Sequence, residues 1–243
     1  MKILREKAET VYAWKSIHLN RSRLLLFGML LTLAFMLFIM NIFPYASIGV
    51  VMIPVSYGLG IYTYRKLLVW ESGTEAQEKV TDELKQLGDD YYLINSVVVP
   101  PNRGDTDHIV LGPTGIFVLE TKALSGVVEC NGDEWKRYKV GKGGNQYEIR
   151  MGSPSNQAKR NAKVLKDFIL KHRDKIFERE APHIWVHAAV VFADENVKLN
   201  LKNATVDVMK ASEVADYVKN KGSSDFTPSE TRKAAETIIE HCG

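Results

Sequence analysis

The chain has 243 residues, with 32 Lys and Arg against 29 Asp and Glu and a formal net charge of +3 at pH 7. A balance this close to neutral argues against tight nucleic-acid binding through a global basic field. Cys130 and Cys242 are the two cysteines, in no metal-binding spacing, which indicates free thiols in a reducing cytoplasm. Charged residues make up 25% of the chain, although a long N-terminal stretch has none, so the remainder must be a very polar soluble domain.

The stretch without charge runs from Leu24 to Tyr64. It is about twice as long as the 18 apolar residues that indicate a transmembrane helix. Pro44, a helix breaker, lies near its middle between aromatic residues typical of membrane interfaces. Two transmembrane spans of about 20 residues each are therefore predicted, at residues 24–43 and 46–64. A cleaved signal peptide does not fit, because its apolar region has only about 7–15 residues.

Basic residues on both sides of the apolar stretch predict its orientation. Arg21 and Arg23 precede it, Arg65 and Lys66 follow it, and the connecting turn has no basic residue. Segments rich in Lys and Arg next to transmembrane helices stay in the cytoplasm, so both flanks and the large C-terminal domain are expected there. The chain is thus predicted to be a multi-pass protein of the cytoplasmic (inner) membrane, in contact with the lipid bilayer through two helices. Residues 1–20 are expected to form a basic helix at the membrane interface.

From about Ser72 onward the chain alternates helical and strand patterns. In chain order we predict a helix over 72–87, a strand over 92–99, a hairpin over 106–122, strands over 126–130 and 135–140, a turn over 141–144, a helix from Ser153 or Ser155 to about 172, a strand over 184–192 and a capped helix over 227–240. This order predicts an α/β core with a mixed sheet.

The hairpin over 106–122 brings acidic residues of two strands together. Its strands are short β-branched and aromatic runs around a Gly-Pro-Thr-Gly turn at 112–115. With these four residues as the loop, Asp107 faces Glu120, with Cβ atoms about 4.5–5.5 Å apart. Alternation along the strand places Lys122 on the same face as Glu120.

Two facing carboxylates repel each other unless a positive charge lies between them. A divalent cation next to Lys122 would resolve this repulsion, so the hairpin predicts a metal site. The alternative is a solvated ion pair of Glu120 and Lys122, worth about 0–1 kcal/mol, with Asp107 as an unrelated strand charge.

The segment from Asp107 to Lys122, DHIVLGPTGIFVLETK, resembles the core of the nuclease-related domain (NERD), a relative of the restriction-endonuclease-like PD-(D/E)xK superfamily. The resemblance extends upstream to Gly73-Thr74-Glu75 and downstream to Pro154-Ser155-Asn156-Gln157-Ala158, and it covers about residues 70–195. One departure is Thr106, which stands where the superfamily pattern has a proline.

This resemblance implies a phosphodiester hydrolase that depends on Mg²⁺ (or Mn²⁺) and has an αβββαβ core. It implies that Asp107 and Glu120 bind the metal together with Glu75 from the preceding helix. Lys122 would orient or activate the attacking water, and Gln157 would support the site from the following helix. The predicted organisation is a basic cytoplasmic segment at 1–23, a transmembrane hairpin at 24–66, the nuclease-like domain at 70–195 and a C-terminal strand and helices at 196–243.

Several cations follow Gln157 on the same predicted helix. Each one read alone is a solvated surface residue, but together, near the proposed site, they are candidates for phosphate contacts. They are Lys159, Arg160, Lys163 and Lys166.

Some aromatic residues nearby are expected to be structural. His108 alternates to the face opposite Asp107 and is expected to be packed rather than catalytic. His183 and His187 bracket an apolar strand without ligand partners nearby and are read as structural. Trp135 fits either a packing residue or a stacking platform.

Two functions fit this sequence best. The first is a membrane-anchored nuclease acting on DNA or RNA, and the second is a catalytically weak nuclease-fold module that binds nucleic acid or a protein partner at the membrane. The presence of all five residues implied by the resemblance favours the enzyme, because a decayed site would have lost at least one. A third reading is a membrane interaction protein that pairs with a partner through its transmembrane helices. No prominent stripe of small residues supports this reading.

Overall fold

The computed structural model describes residues 1–5, 11–39, 45–141 and 143–242. The chain divides into two compact units, one formed by Met1–Thr10 with Glu75–Gly243 and the other by Val11–Thr74. The second unit therefore interrupts the first, and along the chain both of its ends connect to the first. We call them the α/β unit and the helical unit.

Two long helices, α1 (Val11–Ile39) and α2 (Tyr45–Leu84), provide the helical unit, and α2 continues into the α/β unit. Both are long and apolar enough to cross a membrane by length and composition, with mean hydropathies of 2.1 and 1.4 in their most apolar windows. Only 6% and 17% of those windows are buried, unlike the core helix of a soluble domain. The predicted break at Pro44 lies outside the described residues.

Within the helical unit, α2 approaches the backbone of α1 closely at Gly49. A Cβ atom at this position would lie 2.7 Å from the carbonyl oxygen of Ala34 and 2.9 Å from the backbone nitrogen of Phe38. Both neighbours are backbone atoms that cannot move aside. Glycine is therefore required for this contact, as is common where apolar helices pack tightly.

The course of α2 corrects the prediction of a separate helix beginning at Ser72. One continuous helix includes the predicted span 46–64 and runs on to Leu84. The residues after Tyr64 are mostly good helix formers, and Gly73 costs only about 1 kcal/mol relative to alanine, which is too little to end a helix.

The described part of the α/β unit contains ten strands in two sheets. The strands are β1 (Lys2–Arg5), β2 (Tyr92–Val97), β3 (Thr106–Gly112), β4 (Gly115–Lys122), β5 (Val127–Asn131), β6 (Glu134–Val140), β7 (Gln146–Ile149), β8 (Val186–Phe192), β9 (Lys198–Lys202) and β10 (Asp207–Lys210). The larger sheet has the order β1-β2-β3-β4-β8-β10 and the smaller one β7-β6-β5-β9. In the larger sheet β2, β3 and β4 are antiparallel, whereas β1, β8 and β10 pair with their neighbours in parallel, so the sheet is mixed.

Helices cover both faces of the larger sheet. They are the end of α2 together with α3 (Pro154–Lys171), α4 (Arg173–Ile176), α5 (Val214–Asn220) and α6 (Pro228–Cys242). Because side chains alternate along a strand, Ile109 and Val118 join one buried cluster with α3 and α6, whereas Val110 and Leu119 join another with α2 and α5. The order α2–β2–β3–β4–α3–β8 confirms the predicted α/β class and the αβββαβ arrangement.

The first residues of the chain belong to this sheet, which corrects the prediction of a separate basic segment and an interfacial helix over residues 1–20. Lys2 and Ile3 pair in parallel with Tyr92 and Leu93 of β2. The terminal amino group of Met1 donates to the carbonyl oxygen of Leu87 at 3.0 Å. The helix begins only at Val11. A four-residue strand whose partner lies about 90 positions away leaves no local pattern to detect.

Candidate active site

A tight hairpin connects β3 to β4. Gly112 pairs with Gly115, so the loop has two residues instead of the predicted four, while the register is the predicted one. Gly115 has a φ of 143°, a conformation open to glycine and strained for other residues. His108 pairs with Leu119, and continuing this register by one residue places Asp107 opposite Glu120 at the open end of the hairpin.

Glu120 and Lys122 form an ion pair at this end of β4. The Nζ atom of Lys122 donates to Oε1 of Glu120 at 2.6 Å and to Oε1 of Gln157 at 3.1 Å. Glu120 is only 6% exposed, so the pair is not the fully solvated strand-end pair considered as the alternative. Gln157 reaches Lys122 from the first turn of α3, which Ser153 caps through its side chain. The structure thus brings together three of the predicted residues.

Asp107 lies on β3 beside this pair and accepts two hydrogen bonds. The side-chain amide of Gln77 donates to its Oδ1 at 2.6 Å, and the backbone N–H of Thr121 donates to its Oδ2 at 2.7 Å. Burial raises the pKa of the Asp107 carboxyl well above its usual range, and the charge of Glu120 raises it further, whereas the Thr121 N–H and Lys122 act in the opposite direction. Two carboxylates in such proximity are costly when both are ionised, which a cation between them would relieve.

Glu75 is the predicted metal-binding residue that the structure does not bring into this group. Its side chain is exposed on α2. No set of three or more His, Cys, Asp or Glu residues suited to a metal occurs in the described parts of the chain. The contact from α2 to Asp107 comes from Gln77, two positions further along the helix. Sequence reasoning missed Gln77, because acidic residues indicate a magnesium site and an amide carries no charge.

His108 lies on the other face of the sheet and is packed there, as predicted. Its ring is fully buried, with Nδ1 2.8 Å from Oδ1 of Asn95 and Nε2 3.0 Å from Oγ1 of Thr121. Burial lowers the pKa of His108 to about 3, so the ring is neutral at physiological pH. His108 thus holds Thr121, whose backbone N–H donates to Asp107. The role of His108 is structural.

Trp135 is a packing residue, which decides between the two readings of the sequence. It is buried, its Nε1 donates to Oγ of Ser155 at 3.0 Å, and its ring lies 6.1 Å from that of Phe192. Ser155 in turn donates to Asp133 at 2.6 Å. Its hydroxyl therefore anchors the turn between β5 and β6, while Ser153 caps the helix.

The cations that follow Gln157 do not form one cluster at the site. Successive residues of an α-helix are about 100° apart, so Lys159 is offset from Gln157 by about 200°. Its Nζ donates to both oxygens of Asp133 at 2.7 Å. Lys159 and Lys163 line a groove beside β8, and the exposed Arg160, offset by about −60°, lies on the Gln157 side of the helix.

Residues 72–193 match the profile of a known family, described as nuclease-related domain (NERD). The matched segment includes Asp107, Glu120, Lys122 and Gln157 and covers just over half of the 243 residues. Searches of curated proteins and of solved structures found no match to the chain. The chain therefore belongs to the nuclease-related domain (NERD) family.

Proposed function

We propose that this protein is a metal-dependent nuclease, a phosphodiester hydrolase that uses Mg²⁺ or Mn²⁺ and acts on DNA or RNA. The observation that carries the proposal is the convergence of Asp107, Glu120 and Lys122 at one end of the β3–β4 hairpin, inside the segment shared with the nuclease-related family. Family membership indicates a fold, whereas these three side chains indicate the chemistry.

The side chains at this end of the hairpin fit a magnesium ion. Mg²⁺ prefers one or two carboxylates together with several retained waters, and Asp107 and Glu120 supply two carboxylates from neighbouring strands. A carboxylate offers about four acceptor positions, so the hydrogen bonds from Gln77 and Thr121 leave Asp107 with further acceptor capacity. When bound, the ion would supply positive charge that stabilises the charge developing on the phosphate.

We assign two roles to Lys122, the orientation or activation of the attacking water and the stabilisation of the transition state. Its ammonium group is held between Glu120 and Gln157, so its position does not depend on the substrate. A fixed positive charge at the phosphorus lowers the barrier because it interacts more strongly with the transition state than with the ground state. Gln157 and Gln77 act as positioning residues, the first for Lys122 and the second for Asp107.

We further propose that α1 and α2 anchor the protein in the cytoplasmic (inner) membrane, with the α/β unit in the cytoplasm. β1 precedes α1 and pairs with β2, which follows α2, so the chain between them must cross the bilayer an even number of times. Arg and Lys at both outer flanks favour the cytoplasmic side. Labelling of a cysteine introduced at Gly222 by an impermeant reagent added outside intact cells would contradict this orientation.

The second candidate is a catalytically weak module that binds nucleic acid or a protein partner at the membrane. The observation that favours it is the position of Glu75, which is exposed and leaves the described residues without a group of three metal-binding acids. A two-carboxylate site would hold the ion more weakly than a three-carboxylate site, and turnover would suffer.

A cleavage assay of the full chain in detergent distinguishes these candidates. The enzyme hypothesis predicts cleavage of single- or double-stranded DNA or RNA with Mg²⁺ and none with EDTA. Lys122→Ala should reduce cleavage by about 10²–10³-fold, whereas Lys219→Ala, which removes the same charge from an exposed position of α5, should not. Absence of Mg²⁺-dependent cleavage by the wild type on all four substrates would favour the binding module.

A further inference from the structure

A groove of about 560 Å³ lies beside β8, away from the candidate active site. Lysines from α3 and from the end of α5 line it together with aromatic residues at the start of β8, and we call it the Trp185 groove. The lining residues used below are Lys159, Lys163, Lys166, Lys221, Trp185 and His187. Six residue steps along β8 and β4, about 20 Å, separate the Val186–Ile116 pair in this region from the Phe192–Lys122 pair at the active site.

The groove has a positive charge surplus. Lys159 pairs with Asp133 and Lys221 with Asp207, so the charges of these lysines are balanced. Lys163 and Lys166 form no hydrogen bond or ion pair with any residue that the structure describes. Two cations about one helical turn apart are therefore available to an anionic ligand.

Aromatic rings form the opposite wall of the groove, because Trp185 alternates with Val186, which packs on the α3 side of the sheet. Trp185 is 61% exposed, unusually open for a tryptophan in a folded unit. Its ring is nearly parallel to that of His183 at 6.4 Å between centroids, and the His187 ring lies 6.4 Å away at an interplanar angle of 71°. Burial and the nearby Lys221 lower the pKa of His187, which favours its neutral ring. Residues 183, 185 and 187 alternate with buried Ile184 and Val186 and so share one face.

The edge of the sheet is open at this point. β10 pairs with β8 only from Ala189 to Phe192, so the strand ladder ends before Val186. On α3, the residues from Gln157 at the active site to Lys166 in the groove span about 14 Å along the helix axis. The lysines thus lead from the active-site end of the domain toward Trp185.

We propose that the Trp185 groove binds single-stranded nucleic acid, with phosphates at Lys163 and Lys166 and bases stacked on Trp185. The inference rests on the proposed nuclease function and deepens it, because it names a single strand as the bound form. Cationic grooves with exposed aromatic rings are the usual means of binding single strands without sequence preference. A duplex keeps its bases stacked inside and cannot use Trp185 in this way.

The test is binding of a fluorescein-labelled oligothymidylate to the full chain in detergent with EDTA, followed by fluorescence anisotropy. Trp185→Ala should weaken binding about tenfold, as loss of one base–aromatic stack does, whereas Trp185→Phe should retain most of it. Lys163→Gln with Lys166→Gln should also weaken binding and reduce the slope of log K against log salt by about 1.4, or about 0.7 for each lost phosphate contact. Lys171→Gln, at the end of the same helix and outside the groove, should have no effect.

Wild-type affinity in the Trp185→Ala and double-lysine variants would overturn the proposal, and so would equal binding of a duplex that is insensitive to Trp185. Absence of any oligonucleotide binding would also overturn the proposal. It would favour a peptide strand as the ligand of the open edge of β8. Binding is measured in EDTA and therefore does not depend on cleavage. A chain that binds through the groove but does not cleave with Mg²⁺ would refute the nuclease function and leave the groove proposal intact.

Discussion

Buried His108 should limit the stability of the α/β unit in acid. Burial lowers its pKa from 6.5 to about 3. Below about pH 6.5 the unfolded chain takes up a proton on this ring, whereas the folded chain does so only near pH 3. The unfolded state therefore binds more protons in this window, and the free energy of unfolding falls as the pH decreases from about 6.5 toward about 3.

The size of the effect follows from the shift. Each pH unit over which only the unfolded chain binds this proton costs about 1.4 kcal/mol of stability. Between pH 7 and pH 5 the part due to His108 is about 2 kcal/mol, because the ring in the unfolded chain begins to titrate only near pH 6.5.

His108→Gln isolates this contribution. The amide cannot titrate, and imperfect replacement of the bonds to Asn95 and Thr121 should cost about 1–3 kcal/mol at pH 7. The stability of the wild type relative to the variant should then fall by about 2 kcal/mol from pH 7 to pH 5. Asp107, whose raised pKa acts in the opposite direction, is present in both proteins and cancels in the difference.

Urea unfolding of the full chain in detergent at both pH values, followed by tryptophan fluorescence, measures this difference. His183→Gln makes the same replacement at an exposed histidine and controls for the loss of an imidazole from the surface. A difference between wild type and His108→Gln that stays constant from pH 7 to pH 5 would show that His108 does not titrate differently in the folded and unfolded chain.

Other residues allow three further predictions. Millimolar Mn²⁺ should raise the Tm of the wild type by mass action on the folded state, and Asp107→Asn should reduce this rise; no change in the wild type would count against the metal site. Hydrogen bonds from Arg179 and Thr227 lower the pKa of Glu230 from 4.5 to about 2, so these contacts stabilise the fold above about pH 4.5 and the benefit is lost as the pH falls toward 2. Since Arg179 is half-exposed, Glu230→Gln should cost only about 1–2 kcal/mol at pH 7 and flatten acid unfolding between those pH values; an unchanged acid profile would contradict this. Gly49→Val should lower the thermal stability of the helical unit in detergent, because its Cβ would meet backbone atoms of Ala34 and Phe38, whereas Gly58→Val meets nothing within 4 Å; equal behaviour of the two variants would exclude the tight contact.

Local signals were sufficient to predict the hairpin and its acidic end. Glycine and proline mark the turn, and strict alternation then places Asp107, Glu120 and Lys122 without knowledge of the remaining fold. The caps at Ser153 and at Thr227 are equally local, since each depends on residues within three positions.

Features that depend on distant parts of the chain could not be predicted in this way. β1 is a strand only because β2, about 90 residues later, offers it a partner. The contact of Gln77 with Asp107 depends on how α2 packs against the larger sheet. By contrast, the separation of Lys159 from Gln157 could have been predicted from helix geometry alone, because two positions along a helix are about 200° apart.

We assign metal binding to Glu120 and the action on the attacking water and the transition state to Lys122. The most direct test measures Mn²⁺ binding and Mg²⁺-dependent cleavage in parallel for wild type, Glu120→Ala and Lys122→Ala. Lys122→Ala should lose cleavage by about 10²–10³-fold while it still binds Mn²⁺, and Glu120→Ala should lose both. Cleavage at the wild-type rate by Lys122→Ala, or undiminished Mn²⁺ binding by Glu120→Ala, would contradict these assignments.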